Sequence, residues 1–457
     1  MLYKSRKKKV HFIGIGGIGM SGIAEILISS GYKVSGSDIA DSDIVKRLGS
    51  LGATVHIGHR EENLRDADVV VVSSAIDEKN PEIQMARKNK IPIIQRAEML
   101  AELMKMQTSI AIAGTHGKTS TTSMIATIVQ HCGLDPTIII GGRVDALGGN
   151  AKLGKGDFLV AEADESDKSF LKLPATIAIV TNIDNDHLNN YGNIQNIKDA
   201  FVDFINRIPF YGHAILCQDD ENVKSILPKI NKPHMTYGFS PQASLQARNP
   251  QFSNFGSNYE VWQGEKKLGD ARCNVPGKHN VLNSLAAIAT GMEIGLTFEQ
   301  ASTGLAQFKG VRRRFELKGE AGGVKVFDDY GHHPTEIRAT LAAARKAWDG
   351  RVVTLFQPHR YSRTQDCYED FVRAFDDADQ VFVANIYAAG EDPIPGISAE
   401  KLADDISKHG HKSVEFVGDP KTCAEKIAGK LQKGDLFLTL GAGNVYAAGE
   451  ALLKVLK

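Results

Sequence analysis

"TSIAIAGTHGKTSTTSMIATIVQHCG", residues 108–133, decides the fold. An apolar β-rich run leads into a loop with two glycines, and the loop opens a helical stretch. In that order the loop points backbone N–H groups at a phosphate, and the helix dipole favours the anion. Lys118 would reach the β- and γ-phosphates of a nucleoside triphosphate, and the Thr119 hydroxyl would sit on Mg²⁺. The spacing departs from G-x-x-x-x-G-K-[ST], because Ile112 stands five residues before Gly117 and the available glycine is Gly114. The strand–loop–helix context favours phosphate binding over a Gly-rich turn with an incidental lysine.

Working back toward the start, Gly14, Gly16 and Gly19 spell G-x-G-x-x-G after the β-rich "KVHFIGI". Residues 16–30 read as a helix with Ile18, Ile23, Ile26 and Leu27 along one face. "YKVSGSD" is a second strand, and Asp38 at its end is placed to meet a ribose hydroxyl. Strands "ATVHIG" and "ADVVVVSSAI" follow, the second apolar enough to be buried on both faces. Together they predict a doubly wound parallel sheet. The glycines and Asp38 recognise a diphosphate and a ribose, and they do not require nicotinamide.

Working forward, "FLVAEADESD" (158–167) ends an apolar strand in acids. Glu162, at the apolar–polar junction, reads as a Mg²⁺ ligand; Glu165 and Asp167 read as solvated loop acids. The next strand ends in "TNIDNDHLNNYG" (181–192), where His187 reads equally as a ligand for a second cation or as a packing residue. The polar text from Leu216 to Asn274 reads as short strands whose order the pattern leaves open. His279 and Asn283, four apart near the start of one helix, read either as a nucleobase-flanking pair or as polar residues of a helix start. "FKGVRRRFE" (308–316) reads as a linker. A third αβ unit carries "DDYGHHPTE" (328–336) and "FQPHRYSRT" (356–364), where His359, Arg360 and Arg363 form a cationic cluster suited to carboxylate or phosphate. The adjacent histidines lack H-E-x-x-H, so zinc is set aside.

The bulk properties bound the function. The chain has 457 residues, 42% hydrophobic and 24% charged, with a formal net charge of +0. That length exceeds one core of about 250–300 residues. Neutrality gives no electrostatic case for nucleic acid or an anionic membrane. Five scattered cysteines without C-x-x-C fit reduced thiols. The basic start reads as a lead-in to the first strand rather than a signal peptide, and no apolar run of about 18 residues offers a membrane span.

In the order in which they stand, "GIGGIGMSGIAE", "SSAI", "GTHGKTSTT", "EADESD", "TNIDNDHL", "HNVLNSLAA", "RRRFE", "DDYGHHPTEI", "FQPHRYSRT" and "GAGN" resemble the Mur ligases, ATP-dependent amide-forming enzymes of bacterial peptidoglycan synthesis. The resemblance covers essentially the whole chain. It implies an α/β protein of three consecutive domains: a Rossmann-like UDP-sugar-binding domain (1–107), a central P-loop ATP-binding domain (108–312) and a C-terminal Rossmann-like, amino-acid-binding domain (313–457). It implies ATP and Mg²⁺, a cytoplasmic place, small-molecule substrates and a monomer or homodimer. Within the family the likeness is to the branch that joins L-alanine to the carboxylate of UDP-N-acetylmuramate through an acyl phosphate.

Residue by residue, the resemblance implies that Gly114, Thr115, His116, Gly117, Lys118, Thr119 and Ser120 hold the phosphates. Thr119, Glu162 and His187 would serve metal ions, His279 and Asn283 would flank adenine, and Arg313, Arg314 and Asp329 would contact ATP. Gly16, Gly17, Ile18, Asp38, His59, Ser73 and Ser74 would meet the UDP-sugar. His332, His359, Arg360 and Arg363 would hold the alanine end. Sister ligases carry a carbamylated lysine fourteen residues after this loop's histidine. Here that count reaches Phe201, with Lys198 off register, so no carbamate is expected. The rivals are a recycling ligase that attaches a preformed tripeptide, an NAD(P)-dependent oxidoreductase resting on Gly14–Gly19 alone, and a nucleotide-binding regulatory module without chemistry.

Overall fold

The computed structural model describes residues 8–73, 75–144, 149–186, 188–253 and 255–457. Ser74 and His187 lie outside the described residues. Five parallel strands form the first sheet: β1 (Lys9–Ile13), β2 (Lys33–Asp38), β3 (Thr54–Ile57), β4 (Val69–Val72) and β5 (Ile93–Gln95), in the order β3-β2-β1-β4-β5. The chain reverses direction of winding at β1, so a crevice opens at the carboxyl ends of β1 and β4. Helices α1 (Ile18–Ser29), α2 (Asp43–Ser50), α3 (Pro81–Lys88) and α4 (Arg96–Met104) complete the layers. Ile23, Ile26 and Leu27 of α1 are buried as expected, whereas Ile18 is 51% exposed. Five residues of helix turn Ile18 roughly 140° away from Ile23, so it belongs to the crevice rim and not to the apolar stripe.

The second sheet opens with β6 (Thr108–Ala113), the strand of the phosphate loop, followed by α5 (Lys118–His131). Around β6 lie β7 (Thr137–Val144), β8 (Gly149–Lys152), β9 (Phe158–Glu162) and β10 (Ile177–Val180); α6 (Leu188–Tyr191) and α7 (Ile194–Asn206) lead to β11 (His213–Cys217), and α8 (Glu221–Ile226) to β12 (His234–Gly238). The segment that the sequence left unordered becomes β13 (Leu245–Ser253), β14 (Gly256–Gln263) and β15 (Lys266–Cys273), giving the order β15-β14-β13-β12-β11-β10-β6-β9-β7-β8. Strands β6, β9, β10 and β11 pair in parallel, and β6 and β10 are buried along most of their length. Helices α9 (Lys278–Glu293) and α10 (Phe298–Leu305) follow. Phe201 is fully buried beside Phe170, their ring centroids 5.2 Å apart, as its place on the apolar face of α7 requires.

The third sheet comprises β16 (Glu316–Ala321), β17 (Val324–Asp329), β18 (Val352–Phe356), β19 (Gln380–Ala384), β20 (Val414–Gly418) and β21 (Leu436–Leu440), ordered β16-β17-β21-β18-β19-β20. Only β16 runs antiparallel to its neighbour. The long α11 (Pro334–Ala347) and short α12 (Tyr361–Asp366) start just after β17 and β18. The stretch read as a linker is anchored: Phe308 is buried, and the Phe315 ring lies 4.8 Å from Phe327.

By compactness the chain forms two units. One comprises Met1–Arg248, Glu260–Ala271 and Leu282–Phe308; the other comprises Asn249–Tyr259, Arg272–Val281 and Lys309–Lys457. The first unit contains the first sheet and most of the second around one continuous core, from Phe12 and Ile23 through Met104 to Ala111, Phe170 and Phe204. No helix of the described residues is long and apolar enough to cross a membrane.

Candidate active site

The phosphate loop is built by two left-handed glycines and by the loop after β10. Gly114 has φ +132° and Gly117 φ +81°, values that side-chain-bearing residues rarely adopt. A Cβ on Gly114 would stand 2.1 Å from Thr181 Oγ1, and one on Gly117 2.7 Å from Asn283 Oδ1. The backbone N–H of His116 donates to Asn182 Oδ1 (2.8 Å), Thr181 Oγ1 donates to the His116 carbonyl (2.7 Å), and the Asp184 N–H donates to Thr115 Oγ1 (2.8 Å). His116 Nε2 lies 3.0 Å from Asp184 Oδ2. The loop is thereby fixed by the segment after β10, with Lys118, Thr119 and Ser120 in the first turn of α5 and Gly117 as its N-cap.

Lys118 Nζ donates to the carbonyls of Gly114 (2.6 Å) and Thr115 (3.1 Å) and to Glu165 Oε1 (2.8 Å). Burial works against its ammonium, but the charges of Glu165, Asp164 and Glu162 outweigh burial and hold it above the ordinary lysine value. Glu165 was expected to be a solvated loop acid. It is instead 2% exposed, its carboxylate paired with Lys118 and its carbonyl accepting from the Tyr191 hydroxyl (2.5 Å). Asp167 is exposed, as expected. Glu162 ends β9 opposite Ile112 of β6, and its Oε1 is buried. Hard oxygen donors grouped at a phosphate loop are the donor set that Mg²⁺ takes, so Thr119 and Glu162 fit that ion.

On the first sheet the Gly-rich turn is tied to β2. The N–H groups of Gly14 and Ile15 donate to the Ser37 carbonyl (2.8 and 3.0 Å), Gly17 N–H to the Gly14 carbonyl (3.1 Å), and Gly16 N–H to Asp38 Oδ2 (2.8 Å). Asp38, at the end of β2, thus closes over the turn. Ser73 follows β4, and Ile76 of the same turn would lie 3.3 Å from a Cβ on Gly14. His59 stands two residues beyond β3. These residues line the carboxyl ends of β1 to β4. Arg96, which the sequence did not single out, covers Gly19: its Nη1 would lie 2.7 Å from a Cβ there, and its Nη2 reaches Asp164 Oδ2 at 3.4 Å. The Gly-rich turn after β1 and Asp164, in the loop after β9, therefore meet through one guanidinium.

In the second unit, Arg313 is built into the wall. Its Nε donates to buried Asp328 (3.1 Å) and its Nη2 to the Gly441 carbonyl (2.7 Å), with Tyr330 and Tyr446 rings 5.0 and 4.9 Å away. Arg314 pairs more loosely, 3.7 Å from Glu336. Asp329 accepts from the N–H groups of Phe315 (2.8 Å) and Gly331 (2.7 Å); burial pushes its carboxyl up to about 6 against the pull of Arg314. His279, in the first turn of α9, is pushed down to about 4 by burial. Asn283, one turn further along the same helix, belongs to the first unit, where it lies against Gly117.

His332 Nδ1 donates to the Tyr330 carbonyl (3.0 Å), which leaves Nε2 as an acceptor. Burial holds it down at about 4. Its ring centroid is 5.8 Å from that of His359, which stacks on Tyr387 at 5.5 Å. Arg360 has φ +70°, and its Nε donates to Glu391 Oε1 at 2.7 Å. Glu391, like Arg96, lies too far along the chain from its partner for any spacing rule to join them.

Comparison with known proteins follows this geometry. Residues 9–108 match the model of the Mur ligase family catalytic domain, 112–291 the Mur ligase middle domain, and 313–443 the Mur ligase glutamate ligase domain. The chain belongs to the Mur ligase family. This Mur ligase is 55% identical over 449 residues to the UDP-N-acetylmuramate–L-alanine ligase of Trichlorobacter lovleyi, and 55% over 452 residues to that of Geobacter sulfurreducens; both alignments cover 98% of either chain. Among solved structures it superposes on the UDP-N-acetylmuramate–alanine ligase MurC of Thermotoga maritima with a TM-score of 0.83 at 30% identity, covering 98% of this chain and 99% of that one. A murein peptide ligase from Psychrobacter arcticus aligns with a TM-score of 0.71 at 26% identity, covering 98% of each chain.

Proposed function

We infer that this Mur ligase joins L-alanine to the lactyl carboxylate of UDP-N-acetylmuramate, consuming ATP and releasing ADP and phosphate. The observation that carries the reading is the Arg96 contact, which brings a diphosphate turn and a triphosphate loop together in one compact unit. Such a pair suits a nucleotide-sugar beside ATP. The identity to L-alanine ligases supports alanine as the amine.

A free carboxylate is a poor acyl donor. Transfer of the γ-phosphoryl group gives an acyl phosphate with a good leaving group; the amine of alanine adds to its carbonyl carbon, and the tetrahedral adduct expels phosphate as the amide forms. In this reading Gly114–Ser120 cradle the phosphates, and Lys118 turns from its own loop carbonyls to the β- and γ-oxygens. Thr119 and Glu162 would hold one Mg²⁺ and His187 a second, and these ions would supply neutralising charge on the phosphates. His279 and Asn283 flank adenine. Arg314 and Asp329 contact ATP, with Arg313 shaping the wall. Gly16, Gly17, Ile18, Asp38, His59, Ser73 and Ser74 receive the UDP-sugar. Arg360 and Arg363 clamp the alanine carboxylate beside His359. His332, neutral down to about pH 4, orients the incoming amine through Nε2 and is too weak a base to strip an ammonium.

We further assign three functional domains at 1–107, 108–312 and 313–457, a cytoplasmic place where ATP and nucleotide-sugars are available, and a monomer or homodimer as the working form. Phosphate release with ATP, UDP-N-acetylmuramate and a panel of amines tests the function. Turnover with alanine supports it; turnover only with a preformed tripeptide assigns the recycling reaction; no turnover with any amine overturns both.

A further inference from the structure

Beneath the crevice of the first sheet runs a buried polar chain that the proposed mechanism leaves unused. Glu82 of α3 is fully buried. Its carboxylate accepts from Ser37 Oγ (2.5 Å), Asn63 Nδ2 (2.5 Å) and the Arg60 N–H (3.3 Å). Asn63 Nδ2 also donates to the Gly58 carbonyl (3.0 Å), and Gly58 N–H to the Asp38 carbonyl (2.8 Å). These bonds grip the backbone on both sides of His59. The His59 Nδ1 lies 2.9 Å from Ser37 Oγ and 3.5 Å from Glu82 Oε2, while His11 faces Glu82 from β1 at 3.7 Å.

Counting protons sets the direction of the chain. Burial pushes Glu82 up, but the hydrogen bonds from Ser37 and Asn63 and the nearby His11 ring outweigh it and hold the group below the usual carboxylate range. An ionised carboxylate only accepts. Ser37 has one hydroxyl hydrogen, and it is donated in the hydrogen bond to Glu82. The Ser37 oxygen can then only accept from His59, so Nδ1 carries a hydrogen, and in the tautomer with that single ring hydrogen Nε2 is a bare acceptor. Topology supplies the ligand group. The diphosphate turn follows β1 and the ribose position ends β2, so the next strand outward, β3, ends where the base lies. His59 stands there.

We propose that Ser37 and Glu82 are positioning residues that fix His59 in its Nδ1–H tautomer, so that Nε2 accepts the imide N3–H of uracil and rejects cytosine, which has no N–H at that position. The inference rests on the reading that this crevice holds the UDP-sugar.

Nitrogen-15 NMR of the imidazole-labelled full-length protein, at the pH of the assay, reads the tautomer. Calorimetry reads binding of UDP-N-acetylmuramate and of its cytidine counterpart. The expected result is a protonated Nδ1 with a bare Nε2, and a preference for uridine of about 10²-fold or more. Ser37→Ala should mix the tautomers and weaken UDP-sugar binding about tenfold while KM for ATP holds. A ring protonated on Nε2, or on both nitrogens, overturns the tautomer. The expected tautomer with equal affinity for both nucleotides overturns the discriminating role. Absence of any UDP-sugar binding to the wild type marks failure of the crevice reading itself. The wild-type measurements need no variant, so poor folding of Ser37→Ala leaves the test intact.

Discussion

Lys118 Nζ and Glu165 Oε1 lie 2.8 Å apart, with 18% and 3% of their side chains exposed. The lysine of the phosphate loop is thus charged, oriented and drawn out of water before any nucleotide arrives. Breaking a buried pair from one side costs stability, a cost that Asp164 and Glu162 soften here because their charges also face the lysine. Glu165→Gln should lower unfolding free energy by about 1–3 kcal/mol and slow turnover. Lys118→Ala should lower kcat about 10²–10³-fold or more. Urea unfolding and steady-state rates measure both; wild-type stability and rate in Glu165→Gln would remove the pair from the mechanism.

Glu162 is assigned to the metal, so Glu162→Gln should raise the Mg²⁺ concentration needed for half-maximal rate while the protein stays folded. A Mg²⁺ titration identical to the wild type's contradicts that role.

Gly114 and Gly133 make a controlled pair. Both have positive φ, +132° and +78°, but a Cβ on Gly114 meets Thr181 Oγ1 at 2.1 Å, whereas one on Gly133 meets nothing within 4 Å. Gly133→Ala should cost about 1 kcal/mol through backbone strain alone. Gly114→Ala should cost more and raise KM for ATP severalfold, since the clash displaces the loop itself. Thermal melts and ATP kinetics compare the two; equal effects would show that the close approach is unimportant.

Arg360 is held by Glu391, and a planar guanidinium matches a carboxylate at two points. Arg363→Lys should raise KM for alanine and leave KM for ATP nearly unchanged. Glu391→Gln should also shift KM for alanine, by letting Arg360 swing. Alaninamide, without a carboxylate, should not be used. Glycine and serine should be used slowly, because a single methyl separates substrates by only about 1–3 kcal/mol. Alaninamide turnover equal to that of alanine refutes the clamp.

His332 is held at about 4, against 6.5 when unfolded. Between those values the unfolded chain binds a proton that the folded chain refuses, so this residue's contribution is complete above about pH 6.5 and lost as pH falls toward 4. The slope is about 1.4 kcal/mol per pH unit. The stability gap between wild type and His332→Gln should therefore shrink as pH falls through that window, measured by urea unfolding. A gap independent of pH contradicts the burial.

What could be read from the chain alone follows from local rules. The run from Thr108 to Gly133 dictates strand, loop and helix because apolar period, left-handed glycines and a helix start all act over a few residues. Gly14–Gly19 and the acids closing β9 are legible for the same reason, as is Phe201 on the apolar stripe of α7. Fold class, the phosphate loop and the residue types of each strand end were determined at that level. The order of β12 to β15 was not, because strand pairing depends on contacts between distant segments.

Side-chain partnership was decided only by the tertiary structure. Glu165 and Asp167 are two residues apart in one acidic run, yet one is buried against Lys118 and the other is exposed, since Lys118 and Tyr191 reach only the first. Arg96 meets Asp164 across 68 residues, Glu82 reaches Ser37 across 45, and Glu391 holds Arg360 across 31. Sequence sets each group's chemistry and its place at a strand end or helix start. Which charge is desolvated, and against which partner, depends on packing between elements that meet only when the sheets assemble, because a carboxylate's field is strong only where water has been removed.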